Sequence, residues 1–167
     1  MLQWIHREDR ELTEVENFIN KFMLNIAKTA EELEILRRQF RSGYCWYFAH
    51  MLKDAFNRGT VVLAAPFGHI CWQDENKMVY DIEGEYTGEA YYFIPEEFAE
   101  KVFPGSMLDF KHIKDDYLPL SKSQCISLMK IYCAAEGIKY SKLAEKYLID
   151  NETSLICDQD EMDVERI

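Results

Sequence analysis

One helical stripe constrains this chain more than any other feature. Cys45, Phe48, Ala49, Leu52 and Phe56 recur at i, i+3, i+4, i+7 and i+11, so the spacing predicts a helix over Gly43–Phe56 with one apolar face. Ser42 or Gly43 can cap its start, and Asn57-Arg-Gly59 can stop it. The period then changes. Thr60–Ala65 is β-branched and apolar, which reads as a buried strand. His69–Gln73 and Lys77–Glu83 read as two strands joined through Asp74–Asn76, and another strand falls near Ala90–Ile94. A helix followed by a meander of short strands must cover one face of an antiparallel sheet.

Helices flank this unit on both sides. Leu12, Val15, Phe18, Ile19, Phe22, Met23 and Ile26 lie at helical spacing, and Thr29-Ala-Glu-Glu32 has the form of a capping box opening a second helix with Leu33, Leu36 and Phe40. Pro95 suits a first helical position. Ser121 or Ser123 can cap a helix that runs to about Glu136 before Gly137, and Ser141–Ile149 reads as a last helix. The fold class expected is α+β, in a single domain over 1–157, with an acidic tail from Asp158 to Ile167.

Composition narrows the function. An apolar fraction of 48% excludes a disordered chain. A formal charge of −11 argues against nucleic acid and anionic membrane surfaces as partners. Neither a secretory leader nor an apolar run of membrane-spanning length is visible, and the five cysteines are odd in number without paired metal spacing. A reduced, cytoplasmic setting is therefore expected. His6, His50, His69 and His112 form no chelate spacing, so neither a metal nor a cofactor is expected.

Three residues could carry chemistry together. Cys45 sits in the first turn of its helix, where unsatisfied N–H groups favour a thiolate and could later hold an oxyanion. Taken alone, a cysteine that begins an apolar face is a core residue. A three-residue hairpin loop would pair Gln73 with Lys77 and set His69 opposite Asp81, on one face of the sheet. A carboxylate there can orient an imidazole that takes a proton from a thiol. Glu83 is the alternative orienter. A one-residue change of register would spoil the pairing. The helix pair near Ser121–Ile149 could also be read as helix-turn-helix, but the acidic charge favours an ordinary antiparallel pair.

Gly43-Tyr-Cys45-Trp46-Tyr-Phe48-Ala49 resembles the cysteine signature of papain-like proteases, Gly-x-Cys-Trp-x-Phe followed by a small residue, and Gln39 stands six positions before the cysteine. The short interval to His69-Ile-Cys-Trp72 and then Val79-Tyr-Asp81 is similar to transglutaminase-like and arylamine N-acetyltransferase-like proteins. The resemblance covers about residues 39–86. It implies a papain-like core with Cys45 as nucleophile, His69 as general base, Asp81 as orienter and Gln39 as oxyanion donor. The activity implied is that of a thiol-dependent hydrolase or acyltransferase on a peptide, protein or small amide substrate. A non-catalytic protein-binding module on the same scaffold, in bacterial or phage biology, is the other expectation. Burial separates the two: an enzyme needs Cys45 reachable and close to His69.

Overall fold

The computed structural model describes residues 4–41, 43–66, 68–88, 90–107 and 120–148. Among the described residues, five α-helices accompany a five-stranded sheet: α1 (Glu14–Ile26), α2 (Ala30–Arg41), α3 (Cys45–Phe56), β1 (Thr60–Ala65), β2 (His69–Gln73), β3 (Val79–Asp81), β4 (Gly84–Glu85), β5 (Tyr92–Pro95), α4 (Glu96–Val102) and α5 (Lys122–Glu136). A 3-10 helix over Lys142–Tyr147 follows, inside the span where the sequence predicts a last helix. Strand order is β4-β3-β2-β1-β5, and every pairing is antiparallel. The fold is α+β. No helix among the described residues is long and apolar enough to cross a membrane. The acidic tail, His112 and Cys157 lie outside the described residues.

Local chemistry accounts for the helix ends. The Thr29 hydroxyl accepts from Glu32 N at 3.1 Å while the Glu32 carboxylate accepts from Thr29 N at 3.1 Å, the reciprocal pair predicted. Ser121 and Gln124 form the same device ahead of α5, and Gly137 closes that helix in the left-handed region. α3 departs from expectation. Its N-cap is Tyr44, which makes no side-chain cap, and Tyr44 N donates instead to Gln39 O at the end of α2. Asn57, at φ 52°, closes it.

Alternation along the strands divides the molecule into two layers of contact. Val61, Leu63 and Ala65 of β1, with Ile70 and Trp72 of β2 and Tyr80 of β3, join the cluster built by α1 and α3. Phe56, at the end of α3, stacks on Trp72 with centroids 5.5 Å apart, and Phe18 of α1 meets Phe56 edge-on at 5.2 Å. Each fully buried side chain of this cluster, such as Trp72 or Leu52, contributes at least roughly 1.5–3 kcal/mol. Val62, Ala64, Cys71 and Val79 form a second, smaller cluster with Tyr86, Ala90 and Phe93. That is the face of the sheet turned away from α3.

Candidate functional site

The hairpin between β2 and β3 is looser than the sequence reading had it. The observed register pairs Gln73 with Val79 and Trp72 with Tyr80, so five residues form the loop instead of three. Asp74 is the reason. Its Oδ1 accepts from Asn76 N at 2.8 Å and Met78 N at 2.9 Å, its own N–H donates to Met78 O, and Lys77 adopts φ 68°. The slip is two residues, and a slip of two leaves every side chain on its original face. Asp81 therefore moves from directly opposite His69 to a diagonal position. The two still meet: His69 Nε2 lies 2.9 Å from Asp81 Oδ2, and both residues are buried. Asp81 Oδ1 accepts from Glu83 N at 2.8 Å, which fixes the carboxylate plane.

The same register, continued by one residue, sets Asp81 opposite Cys71. The thiol, the imidazole and the carboxylate of Cys71, His69 and Asp81 each place one ligating atom within 4.8 Å of the others. Cys71 was missed by reading spacings between histidines. The available signal was strand alternation, because residues 69 and 71 must share a face.

Cys45 does not join this group. It is 1% exposed and lies in the helix-side cluster with Phe48, Ala49 and Leu52. His69 pairs with Ala64 and Cys71 with Val62, both of the opposite face, whereas Leu63 pairs with Ile70 and Val61 with Trp72 on the helix side. The Tyr86 ring, 5.9 Å from His69, belongs to the far face as well. Cys45 thus shares a cluster with Ile70 and Trp72, while the β1 partners of His69 and Cys71 belong to the other cluster.

The remaining predicted residues have other neighbours. Gln39 is exposed in the last turn of α2. Glu83 bridges Arg37 Nε at 3.0 Å and Arg41 Nη1 at 3.2 Å; burial pushes its carboxyl up, against the pull of those two guanidinium groups. It orients α2 and not the imidazole.

Two aromatic side chains near Cys45 in the sequence reach solvent. Tyr44 is 51% exposed and Tyr47 42%, with ring centroids 6.1 Å apart. Trp46 packs edge-on against Tyr47 and stacks on His50 at 3.9 Å. The Trp46 indole N–H donates to Glu96 Oε1 at 2.7 Å, and His50 Nε2 lies 2.9 Å from Glu96 Oε2. Burial would raise the Glu96 carboxyl, but the bonds from His50 and Trp46 prevail and lower it. Trp46 also walls a groove of about 640 Å³ together with Glu96, Glu97, Glu100, Lys101, Gly105 and Met107. Glu100 accepts from the backbone N–H groups of Gly105 and Met107, which shapes the far rim.

No curated protein and no solved structure matches the chain. Residues 20–116 match the family described as Phage YunG-like protein, a span that holds α2, α3, the whole sheet and both faces just described. The chain belongs to the Phage YunG-like protein family.

Proposed function

We propose that this chain is a non-catalytic protein-binding module built on a papain-like core, and that its partner presents a basic segment to the outer side of α3. The observation that carries the reading is the placement of Cys45: the residue is buried, 1% exposed, while Tyr44 and Tyr47 beside it face solvent. A thiol in that position packs; the aromatic rings around it are what a partner can touch. The adjoining groove is lined by three carboxylates against one ammonium, which suits lysine or arginine side chains, and the formal charge of −11 attracts such a partner over distance. The papain-like assignment draws on a helix beginning at a cysteine, laid on an antiparallel sheet whose adjacent strands bear a histidine and an aspartate. Cys125 and Cys133 are free thiols, in keeping with a reducing cytoplasm, and the family description fits a phage-related role.

Titration with short Lys/Arg-rich and Glu-rich peptides, followed by tryptophan fluorescence, tests the reading. Saturable quenching by the basic peptides alone, weakened by salt and lost in Trp46→Phe, is the expected result. Equal responses to both peptides, or none, would contradict it.

A second reading, a thiol-dependent hydrolase or acyltransferase, is favoured by one observation, the 2.9 Å bond between His69 and Asp81. It requires the buried Cys45 to reach that imidazole.

A further inference from the structure

We infer that His69, Cys71 and Asp81 form a binding site for a single divalent transition-metal ion of the zinc type. All three residues are buried, and their ligating atoms lie within 4.8 Å of one another. Tetrahedral coordination at Zn–N and Zn–O distances near 2.0–2.1 Å and a Zn–S distance near 2.3 Å sets neighbouring ligand atoms about 3.3–3.6 Å apart. The group needs little rearrangement to reach that spacing. His69 Nε2 and Asp81 Oδ2, at 2.9 Å, already converge as two ligands of one ion would, with a proton now occupying the line between them.

The donor set selects the ion. One thiolate, one imidazole and one carboxylate suit zinc and its neighbours, and a thiolate disfavours magnesium and calcium. Two of these ligands bind as anions, so a dication leaves the assembly near neutral, which a buried position requires. Zinc sites with three protein ligands keep a fourth position for a solvent molecule. Binding replaces the Cys71 thiol proton by the metal and shifts the imidazole proton off Nε2. Starting from a neutral ring, one proton leaves for each ion bound.

The surroundings are those of a supported site. All three ligands come from strands, two of them at i and i+2 of β2 and the third from β3 alongside. Asp81 Oδ1 is held by Glu83 N at 2.8 Å, the kind of outer bond that orients a ligating carboxylate. Val62, Ala64 and Val79 supply an apolar floor. Cys45 lies on the other face and takes no part, so the inference stands apart from the proposed binding role of α3.

The test uses the purified full chain, stripped with a chelator and titrated with Zn²⁺ against a chromophoric competitor, and in parallel with Co²⁺ read by near-ultraviolet absorption. One equivalent of Zn²⁺ should be taken up, and Co²⁺ should give a sulfur-to-metal charge-transfer band. Cys71→Ser should abolish that band and weaken Zn²⁺ by more than about a hundredfold, the upper range for disturbing groups that merely support a ligand. Cys45→Ser should leave both unchanged. The unmodified chain alone decides if the Cys71 variant folds poorly: absence of the charge-transfer band, or failure to take up one equivalent, overturns the site. A band that survives Cys71→Ser or disappears in Cys45→Ser also overturns it.

Discussion

His69 and Asp81 meet diagonally across β2 and β3, Nε2 to Oδ2 at 2.9 Å, on the face of the sheet that α3 does not cover. A buried imidazole and carboxylate support each other there, and removal of one partner strands the other. Asp81→Ala should destabilise the fold by about 2–4 kcal/mol, and Asp81→Asn, which keeps an acceptor, by roughly half as much. Urea unfolding midpoints read both variants. Equal and negligible losses would mean that the pair contributes nothing to the fold.

Glu16 is a second buried carboxylate, and it is fully engaged. Arg10 Nη1 donates to it at 2.7 Å and Arg7 Nε at 3.2 Å, and the backbone N–H groups of Thr13 and Glu85 donate at 3.1 and 3.0 Å. Burial alone would raise its carboxyl; Arg10 and the backbone donors outweigh that and hold it at about 2. A carboxyl lower in the folded chain than in the unfolded one stabilises fully above the ordinary value of 4.5, and that stability drains away as pH falls toward about 2. Unfolding midpoints of the wild type should therefore drop across this window more steeply than those of Glu16→Gln. At neutral pH that variant should be weaker by about 2–4 kcal/mol.

Gly84 stands against this network with φ at +97°, a conformation that L side chains rarely adopt. A Cβ there would come 2.7 Å from Glu16 Oε2 and 3.1 Å from Arg7 Nη2. Gly84→Ala should cost about 1–3 kcal/mol in backbone strain and should flatten the acid dependence, because the carboxylate must move away from its donors. Thermal melts at neutral and acid pH test both parts; an unchanged acid profile would separate Gly84 from Glu16.

Much of this architecture was legible because local rules and global packing agree. The stripe Cys45–Phe56, the β-branched run Thr60–Ala65 and the Thr29 and Ser121 caps each impose one structure, and each formed as read. The hairpin register was not legible to the residue, since the two hydrogen bonds that Asp74 Oδ1 accepts from Asn76 N and Met78 N enlarge the loop without altering the alternation around it. That is why His69 and Asp81 meet although their expected direct opposition does not hold. What sequence order conceals is the face. Cys45, His69 and Asp81 follow one another along the chain as a nucleophile, base and orienter would, yet the parity of β2 turns Ile70 and Trp72 toward α3 and His69 away. Cys71, given no role by the sequence pattern, shares the face with His69 for the same reason.

Cys45 should then behave as a packing residue. Cys45→Ala should destabilise by about 1–2 kcal/mol through the lost sulfur volume, and Cys45→Ser by about 1–3 kcal/mol, because a hydroxyl would be placed among Phe48, Ala49 and Leu52. Thermal and urea unfolding read the costs. A neutral or stabilising Cys45→Ala would instead fit a strained nucleophile relieved of its constraint.

The most direct measurement is the rate of alkylation at each cysteine in the native chain, by iodoacetamide and peptide mass analysis from acid to neutral pH, in wild type and His69→Ala. The account predicts that Cys45 is modified no faster than global unfolding allows, without an early titration, and that His69→Ala changes its rate only as far as it lowers stability. Rapid labelling of Cys45 ahead of the other cysteines, titrating below an ordinary thiol and lost in His69→Ala, would contradict it and would restore the thiol to the imidazole.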